Sequence, residues 1–189
     1  MYKILEKKTL NANTKQMVID APHVAKKAQP GQFIILRVDE DGERIPLTIA
    51  SYDREKGTIM IIFQEVGATT KKLGLLNEGD CLHDFVGPLG RASELEGLKK
   101  VAVVGGGLGC AIAYPQAKAL HEMGAEVDLI AGFRNKDIII LKTKCVLPAP
   151  TCIWSPMTVP TAARLWLPRC SRNSSTQAIS TMLSSPSAP

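Results

Sequence analysis

The chain runs out of glycine at Gly132 and out of acidic residues at Asp137, although 52 residues follow Asp137. Ordinary usage would place about six acids in a stretch of that length. Instead it holds seven of the 12 prolines and both tryptophans, Trp154 and Trp166. Neither Cys145-Val146-Leu147-Pro148-Ala149-Pro150 nor Ser184-Ser185-Pro186-Ser187-Ala188-Pro189 has helical or strand periodicity. Without glycine turns or an acidic surface, 143–189 is expected to be an unstructured tail. It reads either as a disordered Pro/Ser-rich extension or as the product of a shifted reading frame. No apolar run approaches the roughly 20 residues that span a bilayer. Met1-Tyr2-Lys3-Ile4-Leu5-Glu6-Lys7-Lys8 has no signal-peptide core, so the cytoplasm is the expected location. Cys81, Cys110, Cys145, Cys152 and Cys170 have neither zinc nor iron–sulfur spacing, and His23, His83 and His121 lie far apart. No metal site is expected. The first 144 residues carry 20 basic and 18 acidic side chains, so the net charge of +5 comes mostly from the tail and does not point to nucleic acid.

The most informative segment is Val101-Ala102-Val103-Val104-Gly105-Gly106-Gly107-Leu108-Gly109. A β-branched apolar run that breaks into glycines reads as a buried parallel strand turning sharply against a phosphate. A helical pattern follows and is expected to begin near Pro115, at a first-turn position, and to end at Gly124. A second strand is expected over 126–132. Gly105 and Gly107 would permit the turn and close approach to a pyrophosphate, Gly106 and Gly109 would widen the cradle, and Leu108 lies between them. An acidic ribose ligand is expected about 20 residues after the glycines. Asp128 falls too early, and Arg134 at the strand's end could pair with a 2′-phosphate. Residues 98–142 supply little more than one βαβ unit, so nicotinamide binding is expected to be weak.

Residues 1–97 read as a small antiparallel barrel. Strands are expected over 2–9, 16–20, 32–38, 45–52, 58–65 and 81–86, with a short helix over 69–76. Gln29-Pro30-Gly31, Asp39-Glu40-Asp41-Gly42, Lys56-Gly57 and Asn77-Glu78-Gly79-Asp80 separate them. Two segments exceed what barrel building needs. In Arg44-Ile45-Pro46-Leu47-Thr48, Pro46 cannot donate to a ladder and so leaves backbone free for a ligand, and Thr48 can offer a hydroxyl to a polar ring edge. In Gly67-Ala68-Thr69-Thr70-Lys71-Lys72-Leu73, a glycine turn feeds hydroxyl residues into a helix start, where N–H groups and the helix dipole favour an anion. Thr69 alone could also be a simple N-cap.

In this order and spacing, these segments and the barrel exit Gly87-Pro88-Leu89-Gly90 resemble the ferredoxin–NADP reductase superfamily over roughly residues 1–142. Pro46-Leu47-Thr48-Ile49 and Gly132-Phe133-Arg134-Asn135 are most similar to one branch. It contains the electron-transfer subunit of dihydroorotate dehydrogenase and the small subunit of the NADH-dependent ferredoxin–NADP oxidoreductase. The resemblance implies a six-stranded Greek-key FAD-binding barrel (1–97), an incomplete Rossmann-like nicotinamide domain (98–142) and a tail outside the family (143–189). It implies FAD and NAD(P) as cofactors, and a larger oxidoreductase subunit and ferredoxin as partners. Catalysis would need no side-chain nucleophile, because the cofactors carry it.

The resemblance further implies that Arg44, Ile45, Pro46, Leu47 and Thr48 contact the flavin, with Ile62, Phe63 and Gln64 on the neighbouring strand. Gly67, Thr69 and Thr70 would hold its pyrophosphate. Two positions depart from the family pattern: Ile45 stands where its arginine sits, and Leu47 replaces its stacking tyrosine. Phe63 could equally be a core ring. The branch's [2Fe-2S] cysteines have no counterpart here. The alternatives are a non-catalytic barrel serving as an interaction module, and a different two-domain enzyme using only a nucleotide.

Overall fold

The computed structural model describes residues 2–133, Ile140, 152–156 and 177–180, the last two segments as backbone. The chain divides into two units, Met1–Glu94 and Leu95–Pro189.

In the first unit, β1 (Tyr2–Asn11), β2 (Thr14–Asp20), β3 (Phe33–Arg37), β4 (Ile45–Asp53), β5 (Thr58–Gln64), β6 (Cys81–Leu82) and β7 (Asp84–Leu89) form one antiparallel sheet in the order β6-β1-β2-β5-β4-β3-β7. Alternation writes the core: Met17 and Ile19 on β2, Ile34 and Leu36 on β3, and Ile59, Ile61 and Phe63 on β5 all point inward and are buried. Each such aliphatic side chain contributes about 1.5–3 kcal/mol on burial.

There are seven strands, not six. Residues 81–89 form one extended run, but its first two residues pair with β1 (Tyr2↔Leu82, Lys3↔Cys81) and the rest with β3 (Ile35↔Val86, Leu36↔Phe85, Arg37↔Asp84). At the changeover, the His83 N–H donates to the Arg37 carbonyl at 3.1 Å. The run thus joins the two edges of the sheet and nearly closes the barrel, removing exposed ladder groups.

Two helices accompany the strands. α1 (Pro22–Lys27) starts with Pro at its first turn and buries Val24 and Ala25. Gly57 lies against it in the β4–β5 turn; its φ is +68°, and a Cβ there would lie 2.9 Å from Pro22 Cβ. α2 (Ala68–Leu75) buries Leu73 and Gly74. Its far end is tied to β1, where Lys7 Nζ donates to the Gly74 carbonyl at 2.7 Å.

The second unit is a parallel sheet of β8 (Lys100–Gly106), β9 (Glu126–Phe133), β10 (Cys152–Pro156) and β11 (Gln177–Ser180), in the order β10-β9-β8-β11. With sequential numbering, this is the 3-2-1-4 order of doubly wound sheets. The expectation of a structureless tail is corrected at 152–156 and 177–180, where the chain adds strands to the edges left open by β9 and β8. A parallel two-stranded sheet leaves two ladders unpaired, and these segments fill them. The rest of the tail lies outside the described residues.

β8 passes through a 3-10 turn, Gly107–Gly109, into α3 (Cys110–Glu122). The helix starts at Cys110 rather than near Pro115. Its buried small residues Cys110, Ala111, Ala113 and Ala117 favour helix and close packing, while Pro115 inside it omits one ladder N–H. Gly124, at φ +85°, follows the helix end. Among the described residues, no helix is long and apolar enough to cross a membrane.

Candidate functional site

The β4–β5 ladder stops short. Its pairs run from Asp53↔Thr58 to Ile49↔Ile61, with a bulge between Ile49 and Ser51. Beyond that point, β4 residues 45–48 pair only with β3 (Phe33↔Thr48, Ile34↔Leu47, Ile35↔Pro46, Leu36↔Ile45). Residues 62–64 of β5 pair only with β2 (Gln16↔Ile62, Lys15↔Phe63, Thr14↔Gln64). The two strands part, and each presents an unpaired backbone edge to the gap. Pro46 sits in β4 on the exposed side and pairs with Ile35. Thr48 is half-buried, and among the described residues its hydroxyl has no hydrogen-bond partner.

The start of α2 lies at this gap. Thr69 Oγ1 donates to Glu43 Oε2 at 3.1 Å, and Glu43 is two residues before β4 begins. That contact brings the 44–48 and 67–70 segments together across 26 residues of sequence. Gly67 precedes the helix at φ −125° and ψ 175°, and a Cβ there would meet nothing within 4 Å. The first-turn N–H groups of a helix have no intrahelical acceptor, so open space faces free donors. Thr70 plays a different part from the expected phosphate ligand. Its hydroxyl accepts from the Val66 and Gly67 N–H groups and donates to the Gly67 carbonyl, each at 3.0 Å. It shapes the turn, because glycine has no side chain with which to cap the helix.

Arg44 is directed elsewhere. Its Nη2 lies 3.2 Å from Asp84 Oδ2, and the side chain is largely exposed. Asp84 also faces Arg37 Nε at 2.9 Å and His83 Nδ1 at 3.2 Å. Partial desolvation pushes the Asp84 carboxyl up, but the His83 hydrogen bond and the charges of Arg37, His83 and Arg44 outweigh it and hold the carboxyl below its ordinary value. Phe63 is 1% exposed and belongs to the barrel core, so its ring packs there. Ile62 is buried outside that cluster, Gln64 is half-buried, and Ile45 and Leu47 pack against the core's edge.

In the second unit the glycines divide their work. A Cβ on Gly105 would lie 3.0 Å from Cys110 Cα and 3.1 Å from Ala113 Cβ. Gly105 therefore serves strand–helix packing, and Cys110 Sγ donates to its carbonyl at 3.3 Å. Gly106 and Gly107 have nothing within 4 Å of a Cβ, and Gly107 needs its φ of +53°. These two form the open face of the turn. Leu108 is half-buried and Gly109 buried at the helix start. Arg134 lies outside the described residues. Among the described residues, no three His, Cys, Asp or Glu side chains cluster as metal ligands.

Residues 1–93 match the family model of the oxidoreductase FAD-binding domain. A Clostridium beijerinckii protein, described as an uncharacterized protein in the adh 3′ region, is 57% identical over 151 residues, covering 76% of this chain and 51% of its own. A Thermotoga maritima protein named as a homolog of the electron transfer subunit of dihydroorotate dehydrogenase B (NAD(+)) is 48% identical over 123 residues, covering 65% and 44%. The chain thus spans about half the length of the curated relatives it matches. The solved structure of the NADH-dependent reduced ferredoxin-NADP oxidoreductase superposes with a TM-score of 0.82 at 38% identity, covering 89% of this chain and 63% of that one.

Proposed function

The chain belongs, through residues 1–93, to the FAD-binding oxidoreductases of the ferredoxin reductase type, and we propose that it works as a flavoprotein electron-transfer subunit. The observation that carries this reading is the parting of β4 from β5. A closed barrel has no reason to leave two strand edges and a half-buried threonine hydroxyl unpaired at the mouth of a helix start. A ligand with a polar, planar ring and a negatively charged tail fits that arrangement. The free edge of 45–48 and the Thr48 hydroxyl offer hydrogen bonds to the ring, and Leu47 and Ile45 give it an aliphatic wall. The first-turn N–H groups behind Gly67, with the Thr69 hydroxyl, hold the diphosphate. FAD has this chemistry and, when bound, supplies the exchange of electrons in ones and twos. The protein's own groups bind and orient it and keep water from one face.

In the second unit, the open face at Gly106 and Gly107 follows the carboxyl end of β8, where doubly wound sheets bind dinucleotides. A nicotinamide dinucleotide is the ligand proposed there. A larger oxidoreductase subunit is the proposed partner, in keeping with the electron transfer subunit named among the relatives. Ferredoxin is a further proposed acceptor.

Titrating FAD into the full chain, with flavin absorbance and fluorescence as readouts, tests the first half of the proposal. Saturable binding that weakens in Thr48→Val supports it. A chain that stays colourless at high FAD would instead favour an interaction module. Dye reduction by NADH or NADPH in the FAD-loaded chain tests the second half.

A further inference from the structure

Residues 39–44, between β3 and β4, carry four carboxylates in six positions. The segment is strapped down along its length. Asp39 pairs with Lys72 on α2, Arg37 Nη1 donates to the Glu40 carbonyl at 2.9 Å, and Arg44 pairs with Asp84 at 3.2 Å. Between these ties, Glu43 accepts the Thr69 hydroxyl at the first turn of α2. That helix has no acidic residue in its own first turn, and Gly67 gives it no capping oxygen. A helix start favours a negative charge, and the strap brings one from 26 residues away.

We infer that Glu43 is an internal counter-anion for α2, occupying the Thr69 donor until a phosphate displaces it, and that it thereby sets the affinity of the first unit for FAD. The inference rests on the proposed flavin site and adds its affinity-determining residue. When FAD binds, the Thr69 hydroxyl exchanges one acceptor for another, and the Glu43 carboxylate turns to solvent. The strap's other ties, Asp39–Lys72 and Arg44–Asp84, do not involve the exchanged donor and stay in place.

The test titrates FAD into the full chain carrying Glu43→Gln, Glu40→Gln or Gly67→Leu. Glu43→Gln keeps the shape and removes the charge, and should tighten FAD binding by about two- to fivefold, the scale of one charge at a helix start. Glu40→Gln makes the same charge change on the same strap, but only its backbone carbonyl is tied down. It should leave the affinity unchanged. Gly67→Leu should abolish binding. If Glu43→Gln binds FAD no better than the parent while Gly67→Leu abolishes binding, the inference fails and the flavin site stands. If Glu40→Gln tightens binding equally, the effect is general repulsion and the role of Glu43 is overturned. If Gly67→Leu binds FAD normally, the flavin site itself is misplaced and the inference falls with it.

Discussion

Placing leucine at position 67 should separate folding from ligand binding. Gly67 has φ −125° and ψ 175°, a conformation open to every residue, and its Cβ direction is empty to 4 Å. Losing glycine's freedom in the unfolded chain stabilises by about 0.4–1 kcal/mol. Leucine is a poorer residue than glycine before a helix, by a few tenths to about 1 kcal/mol. The two terms nearly cancel, so thermal unfolding followed by circular dichroism should move by only a few degrees. Thr70 still holds the turn, because its bonds go to the backbone of Val66 and Gly67. The new side chain, however, stands before the first-turn N–H groups of α2. Blocking two charge-assisted hydrogen bonds, each about 1.5–3 kcal/mol, weakens binding by more than about 100-fold. Calorimetric titration with FAD should then show no binding at micromolar concentrations. A Gly67→Leu chain that folds normally and binds FAD as tightly as the parent would refute the assignment of this turn to the phosphates.

Gly105→Ala should destabilise the second unit by about 1–3 kcal/mol through overpacking, since its Cβ meets Cys110 and Ala113 at 3.0–3.1 Å. Gly106→Leu should leave stability unchanged yet weaken NADH binding, read by hydrogen exchange across β8 and by fluorescence titration. Ile61→Ala removes a fully buried side chain from the barrel core and should cost about 2–5 kcal/mol in urea unfolding. Asp84 has a folded-state pKa below its ordinary 3.8. Its ionised form therefore adds stability that is complete above 3.8 and is lost as pH falls through the lower folded value. Asp84→Asn should melt lower at pH 7 and lose less between pH 5 and pH 3 than the parent, in melts recorded across that range.

The barrel was legible where alternation and turn chemistry agree. Ile59, Ile61 and Phe63 follow Lys56-Gly57 at every second position, and all three point into the core. What escaped depends on partners distant in sequence. Nothing in the apolar run 81–89 reveals that it changes partner at His83, because pairing is decided by the strands it meets. α1 has only six residues with two buried, too few for a period, although Pro22 at its first position was a usable signal. Proline at 115 pointed to a helix start, but the small residues before it carry the helix back to Cys110. At the candidate site, the segments 44–48 and 67–70 stood out by composition. The hydroxyl that remains free is Thr48's, while Thr70's is taken by its own turn, and residue type alone does not distinguish them. The Glu43–Thr69 contact, the exposed direction of Arg44 and the packing role of Gly105 appear only in three dimensions.

The shared run 81–89 also orders events in time. Tyr2 and Lys3 find their second partners at Leu82 and Cys81, about 80 residues away, whereas β1–β2 and β4–β5 are local hairpins. Closing so long a loop is entropically costly and is slow relative to hairpin formation. During synthesis the first strand must therefore leave the ribosome, pair with β2, and wait with one edge bare until Leu89 has emerged. Its lysines at 3, 7 and 8 guard that edge in the interval, since charged side chains discourage pairing with another nascent chain. Fusing a bulky partner directly before Tyr2 would obstruct the last step of assembly, whereas the turn after β1 tolerates the same insertion early.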